Sequence, residues 1–172
     1  MEVINMQHIH PNDFNEKVFP LINNDWMLIT AGNSEECNTM TASYGSFGIL
    51  FGEYVSHIYV RPERYTYAFL EENDTYSLSF FNSDYKDTLV YCGRNSGKDH
   101  DKIKDCGLTV LVAEDGTPYF KESRLTVICK KVFAQDLDKN LLLDDHLKEK
   151  VYGTGGHHRM YVGKILDIFY NE

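Results

Sequence analysis

The sequence predicts a mainly β chain, a β-barrel with helical insertions. Three observations carry that expectation. The chain holds 12 tyrosines and 10 phenylalanines against one tryptophan, an aromatic usage that favours strands. Apolar and polar residues alternate with period two over Val55–Val60 and Thr75–Phe81, the signature of half-buried strands. The strand-like segments are short, many, and linked by loops or short helices. A doubly wound sheet would instead repeat strand and helix regularly.

Taken in order, residues 1–24 read as an irregular lead-in with a short helix near Phe14–Phe19. Met27–Ala31 is a strand, and Ser34-Glu35-Glu36 turns into a polar segment over 38–45. Gly45-Ser46-Phe47-Gly48 reads as a flexible turn. After the strand Val55–Val60, Pro62 marks a helix start, because proline is tolerated at the first helical position. That helix is expected to reach Glu72 and stop at Asn73.

Asn82-Ser83-Asp84 offers an N-cap for a short helix through Tyr91. Cys92–Gly97 reads as a loop, and Asp99–Cys106 as a helix closed by Gly107. Strands are expected at Leu108–Ala113 and Leu125–Ala134, a helix at Leu141–Val151, a flexible loop at Gly153–Gly156, and a closing strand at Met160–Tyr170. No internal repeat appears, and residues 1–172 are read as one domain with a sizeable core.

Bulk properties narrow the function. Hydrophobic content of 42% marks a folded chain. The net charge of −9 argues against general nucleic-acid binding, which needs a basic surface. It leaves room for a local basic pocket. Cys37, Cys92, Cys106 and Cys129 form no Cys-x-x-Cys pair, so reduced thiols and a cytoplasmic location are expected. The start, Met1-Glu2, shows no basic segment followed by an apolar core. No apolar run is long enough for a membrane span.

Four places could carry chemistry. Asn38, Thr39, Met40, Thr41, Ala42 and Ser43 combine hydroxyls, an amide and accessible backbone, a set suited to line a polar ligand. The plain alternative is a solvent-exposed loop, against which Met40 and Ala42 alternate as in a half-buried strand. Arg61, Arg64, Tyr65 and Thr66 surround the expected helix start, where orphan N–H groups and two guanidiniums would hold a phosphate. The arginines could equally pair with Glu63, Glu71 or Glu72.

Ser96, Gly97 and Lys98 could meet a ligand's anionic end or form a solvated charged loop. The G-x-x-x-x-G-K-[ST] pattern is absent, so a phosphate-binding P-loop is not supported. His157 and His158 follow a glycine hinge. Successive strand residues face opposite ways, so no metal site is expected from them, even with His8, His10, Asp99, His100 and Asp101 considered. One histidine facing a pocket as donor or acid is the functional alternative to a surface pair. No nucleophile elbow or dinucleotide fingerprint is present, so any difficult chemistry belongs to a cofactor.

In order along the chain, Asn38–Ser43, Val60–Tyr67, Ser77–Phe81, Tyr91-Cys92-Gly93, Ser96–Asp99 with Asp101-Lys102, Cys129-Lys130-Lys131 and His158–Gly163 resemble the flavin reductase-like, flavoredoxin-type proteins. The resemblance spans about Trp26 to Ile168. It implies an FMN-binding split β-barrel, a homodimer with the flavin near the subunit interface. It implies that Thr39 to Ser43 line the ring and ribityl chain. Arg61, Arg64, Tyr65 and Thr66 would hold the phosphate, with Ser96, Gly97 and Lys98 near the ligand. His158 would lie by the ring or the nicotinamide approach.

Three positions depart from the family pattern. Tyr44 stands for a tryptophan, Lys98 for an arginine, and Gly156 for an acidic or polar residue. They touch ring stacking and donor specificity more than FMN binding. The implied activity is an NAD(P)H-dependent flavin reductase, with NADH or NADPH as donor. An FMN electron carrier reduced by a protein partner is the alternative, and a binding module without redox turnover is the third.

Overall fold

The computed structural model describes residues 6–171. It is mainly antiparallel β, in line with the sequence expectation. The strands are β1 (Met6–His8), β2 (Met27–Gly32), β3 (Cys37–Ala42), β4 (Gly45–Leu50), β5 (Glu53–Val60), β6 (Thr75–Phe80), β7 (Val110–Val112), β8 (Pro118–Phe120), β9 (Leu125–Asp136) and β10 (Arg159–Asn171). The helices are α1 (Val18–Pro20), α2 (Thr66–Glu72), α3 (Lys86–Arg94), α4 (Lys102–Asp105) and α5 (Asp145–Tyr152).

One sheet runs in the order β3-β2-β6-β9-β10-β5-β4, with β1 also paired to β10. Its two ends, β3 and β4, are joined by Ser43 and Tyr44 alone. So short a link between the first and last strands requires the sheet to curl until its edges meet. A Cβ at Gly45 would stand 3.0 Å from Met27 Cε, so the start of β4 touches the start of β2. The result is a barrel split between β3 and β4, and Ser43-Tyr44 lies at the corner of the split.

The alternating residues fill the barrel as their period requires. Tyr76, Leu78 and Phe80 of β6 join Ile29, Ala31, Met40, Ile58, Val60, Val127 and Tyr161 in one buried cluster. The opposite face of β6 is also covered. Ser77 Oγ donates to Pro118 O at 2.6 Å, and Thr117 Oγ1 donates to Thr75 Oγ1 at 2.6 Å. A second cluster, with Leu28, Phe81, Leu89, Cys92 and Phe120, packs α3 and β8 on the outside of β2. Every residue of β2 is therefore buried.

Several expectations shift. The lead-in contains β1, paired with Phe169–Asn171, while residues 1–5 lie outside those described. Gly45–Gly48 belongs to an edge strand and not a free turn, because β5 supplies its ladder. Pro62 starts no helix: Arg64 N donates to Arg61 O at 3.0 Å, which makes Pro62 the second residue of a β-turn, another position suited to its fixed φ. The helix begins at Thr66. Cys92–Arg94, read as loop, completes α3. Asp101 caps α4 through Lys104 N at 3.2 Å, three residues later than read. The flexible loop at Gly153–Gly156 stands, with positive φ at Gly155 and Gly156.

Candidate functional site

The split of the barrel and the C-terminal end of α3 form the walls of adjoining cavities. The first holds about 170 Å³ and is lined by Met40, Thr41, Ala42, Ser43, Tyr44, Tyr59, Arg61, Arg64 and His158. The second, about 110 Å³, is lined by Glu63, Arg64, Tyr65, Thr66, Gly93, Arg94, Asn95, Ser96, Gly97 and Lys102. Arg64 belongs to both. A third, about 440 Å³, adds Asn38, Lys98 and His100 beside Tyr65 and Gly97. Of the residues expected to contact the cofactor, Thr39 alone lines none of these three.

The polar side chains of β3 are mostly engaged by the protein itself. Thr39 Oγ1 donates to Ile29 O at 3.1 Å and accepts from Thr30 Oγ1 at 3.0 Å, buried on the outer face of the sheet opposite Met40. Asn38 Nδ2 donates to Thr66 Oγ1 at 2.7 Å. Thr41 Oγ1 donates to Leu89 O at 2.5 Å, pinning β3 to α3. What β3 offers a ligand is thus its backbone and the side of Met40–Ser43, since one long edge of an end strand has no strand partner. Gly97 is required by packing: a Cβ there would stand 2.0 Å from Asn38 Oδ1.

Two cations dominate the second cavity. Arg64 Nη1 donates to Gly93 O at 3.1 Å, and Lys102 Nζ donates to Cys92 O at 3.1 Å. These acceptors are consecutive carbonyls near the end of α3, where helix carbonyls lack intrahelical partners. Lys102 is buried at 4% exposure. Among the described residues neither cation has a carboxylate partner. Burial lowers the Arg64 pKa. Burial, with the like charge of Arg64 adding to it, lowers Lys102 to about 8. Two desolvated positive charges beside a cavity favour an anion, phosphate above all. Glu63 is the one acid on this wall.

Arg61 behaves differently from Arg64. Its Nη2 donates to Val151 O at 2.6 Å, and its guanidinium lies over the Tyr152 ring, 5.6 Å from the centroid. It lines the first cavity and ties α5 to it. Neither arginine is committed to the glutamates considered as partners: Glu71 instead meets Arg159 and the Tyr161 hydroxyl.

His158 and His157 diverge as expected. His157 faces Asp136 at 3.5 Å, whereas His158 lines the first cavity. His158 Nδ1 meets the Tyr152 hydroxyl at 2.9 Å, and its ring lies 5.9 Å from that of Tyr44. Burial, and then the charge of Arg61, lowers the His158 pKa, so the imidazole is neutral near pH 7. In the tautomer where Tyr152 donates to Nδ1, the remaining proton sits on Nε2. Among the described residues no group of three or more His, Cys, Asp or Glu side chains is placed to hold a metal.

Lys102 and Tyr152 stand at the site although the sequence reading gave them no site role. Lys102 was named there only within the Asp101-Lys102 motif, and as a basic residue opening a helix it opposes the helix dipole. Tyr152 carried no signal, since its role depends on how α5 folds back.

The geometry defines a class, an antiparallel split barrel with a cation-lined end and an aromatic, histidine-bearing end. The family model "Flavin reductase like domain" matches residues 21–172, and the chain belongs to that family. Solved structures agree in fold. The flavoredoxin of Methanosarcina acetivorans superposes with TM-score 0.69 at 21% identity, covering 95% of this chain and 77% of that one. The FMN-binding protein of Thermus thermophilus with bound p-hydroxybenzaldehyde gives 0.68 at 16% identity, covering 100% and 83%. An NADH:FAD oxidoreductase of Streptomyces globisporus C-1027 gives 0.62 at 14% identity, covering 86% and 78%. No curated protein matches the chain by sequence.

Proposed function

We propose that the chain is an FMN flavoprotein, one flavin-binding domain acting as an NAD(P)H-dependent flavin reductase. The observation that carries the reading is the pair of half-buried Arg64 and buried Lys102, whose acceptors among the described residues are carbonyls. Such a pair fits a phosphate of nearly two negative charges. The donor set agrees with the rest of FMN: the backbone of Met40–Ser43 for ring nitrogens and oxygens, and aromatic Tyr44 and Tyr59 on the same wall.

Bound FMN supplies two-electron redox chemistry at its ring. The chain's residues do the rest. Arg64 and Lys102, with Ser96 and Thr66 alongside, hold the phosphate. Met40–Ser43 position the ring in the split. Arg61 keeps α5 against the site through Val151. His158, fixed by Tyr152, presents an Nε2–H to the first cavity as a hydrogen-bond donor beside the nicotinamide approach. His158→Ala is expected to keep FMN bound and slow reduction by NAD(P)H about 100-fold, at the low end of a single acid or donor group; unchanged stopped-flow kinetics would remove it from the site.

We further propose a homodimer. Ile49 and Phe51, at the end of edge strand β4, are 64% and 75% exposed, apolar surface of the kind that a second copy covers. No described helix is long and apolar enough to cross a membrane. The four cysteines are free thiols, which supports a reducing, cytoplasmic setting.

The second reading, an FMN electron carrier reduced by a protein partner, is favoured by the absence of a nicotinamide-nucleotide motif. An absorbance spectrum taken before and after anaerobic NADH separates the two. Flavin bands that bleach identify the reductase. Bands that persist with NADH and NADPH but bleach with reduced ferredoxin identify the carrier. A protein that retains no flavin after FMN is added and washed away contradicts both.

A further inference from the structure

A cysteine pair stands behind the phosphate-end cavity, and none of the chemistry above uses it. Cys92 lies on α3 and Cys106 follows α4, their sulfurs 4.0 Å apart. Cys92 is buried and Cys106 half-buried. The other two cysteines are placed apart: Cys129 is buried inside the barrel against Ser56 Oγ, at 3.2 Å, and Cys37 opens β3. Cys92 and Cys106 bracket the stretch of chain that carries Ser96, Gly97, Lys98 and Lys102. The carbonyl of Cys92 is itself the acceptor for Lys102 Nζ.

We infer that Cys92 and Cys106 form a dithiol that closes to an intrachain disulfide, and that the closed form fixes the loop carrying the phosphate-end groups. The second half rests on the FMN reading; the first does not. A disulfide needs its sulfurs about 2.05 Å apart, so closure asks for an approach of about 2 Å. The α4 turn can supply it. It is four residues long, and two residues past its end stands Gly107, φ +65, where a Cβ would meet no atom within 4 Å.

A small-molecule disulfide is the oxidant. The Cys106 thiolate, on the accessible side, attacks one of its sulfurs and releases one thiolate, leaving a mixed disulfide on Cys106. The Cys92 thiolate then attacks the Cys106 sulfur and releases the second. The two cysteine protons go to the two released thiolates. The protein dithiol is oxidised by two electrons, and the small disulfide is reduced to two thiols. Burial and then the neighbouring Cys106 push the Cys92 thiol up to about 12, with Lys102 pulling the other way, so closure is slow and needs a sustained oxidant.

The closed loop has fewer arrangements open to it. Lys102 then stays over the cavity whether or not a ligand is bound, and bound FMN leaves more slowly.

The test oxidises the folded protein, with and without FMN, using oxidised glutathione. Free thiols are trapped with N-ethylmaleimide in denaturant, and the digest is mapped by mass spectrometry. The inference expects one cross-linked peptide pair, Cys92 with Cys106, two hydrogens lighter than its reduced form, with Cys37 and Cys129 alkylated. FMN release from the oxidised protein should be several-fold slower than from the reduced protein, and dithiothreitol should reverse it. Cys106→Ser, at the half-buried position, should abolish the cross-link and make release insensitive to the oxidant.

Cys92 and Cys106 both alkylated after oxidation would overturn the dithiol. So would a glutathione adduct on Cys106 that never resolves. A cross-link with unchanged FMN release would overturn the coupling to the loop. A protein that binds no FMN at all would defeat the functional reading, while the peptide map would still decide the dithiol.

Discussion

Two places in this fold withdraw positive charge from water and differ in what answers it. Arg124 meets Glu16 at 2.7 Å and Asp25 at 3.3 Å, and it ties the lead-in to the barrel. Its charge pulls the Glu16 carboxyl below its ordinary pKa, chiefly through their hydrogen bond. Arg64 and Lys102 are also withdrawn from water, yet their recorded acceptors are carbonyls, and their pKa values fall. The first cluster is complete as it stands. The second carries the desolvation cost of two cations with no recorded anion among the described residues. Buried charge answered by charge is architecture; buried charge facing a cavity points to a ligand.

Substitutions can break that comparison. Arg64→Ala should weaken FMN by about 10- to 100-fold, the worth of a hydrogen bond to a charged group, about 1.5–3 kcal/mol. Riboflavin, which lacks the phosphate, should lose far less. Arg124→Ala should do the reverse. Isothermal titration should show unchanged FMN affinity, while denaturant melts show a loss of about 1–3 kcal/mol, the cost of leaving Glu16 and Asp25 without their partner. If Arg124→Ala weakened FMN as much as Arg64→Ala, the two clusters would not be distinct.

Lys102→Met sharpens the contrast, because it replaces a buried cation with an apolar chain of similar length. FMN affinity should fall about tenfold, while the flavin-free protein melts no lower than the parent and even slightly higher. A lower melting temperature with intact FMN binding would make Lys102 a structural residue.

The smallest effect is a pH dependence. Without ligand, Lys102 loses its proton near pH 8, well below an unfolded lysine. In the flavin-free protein the unfolded chain therefore binds more protons than the folded one above that pH. The stability of the flavin-free protein rises as pH climbs from about 8 towards 10.5. A phosphate restores the charged form, so FMN binding takes up a proton above about pH 8. FMN affinity should then fall with pH, by at most about tenfold per unit, and riboflavin affinity should not follow. In Lys102→Met the pH dependence of FMN should disappear.

Much of the barrel was legible because period two reports burial directly. The faces assigned to β6 in sequence are those the sheet uses, with Tyr76, Leu78 and Phe80 in the barrel cluster. Edge strands were less legible. Gly45–Leu50 is only half-buried, with two glycines and a serine, so its pattern resembled a turn, and only its ladder with β5 makes it a strand. Pro62 misled because its fixed φ suits a β-turn as well as a helix start.

At the site, the stretch Met40–Ser43 and Arg64 announced themselves by residue type. Thr39 did not behave as its hydroxyl suggested, because β2 engages it through Ile29 O and Thr30 on the face away from Met40. Lys102 stayed hidden in a mixed-charge run whose ordinary fate is a solvated loop. Its burial depends on α4 folding under α3, a contact that no local pattern encodes.

The most direct test is a paired titration of FMN and riboflavin into the flavin-free parent protein, Arg64→Ala and Lys102→Met, followed by flavin fluorescence at pH 7. The account predicts that both substitutions weaken FMN at least about tenfold while the riboflavin constants stay within about twofold. Equal losses for the two flavins would contradict it, and so would unchanged FMN binding in both variants, because Arg64 and Lys102 would then not be the phosphate site.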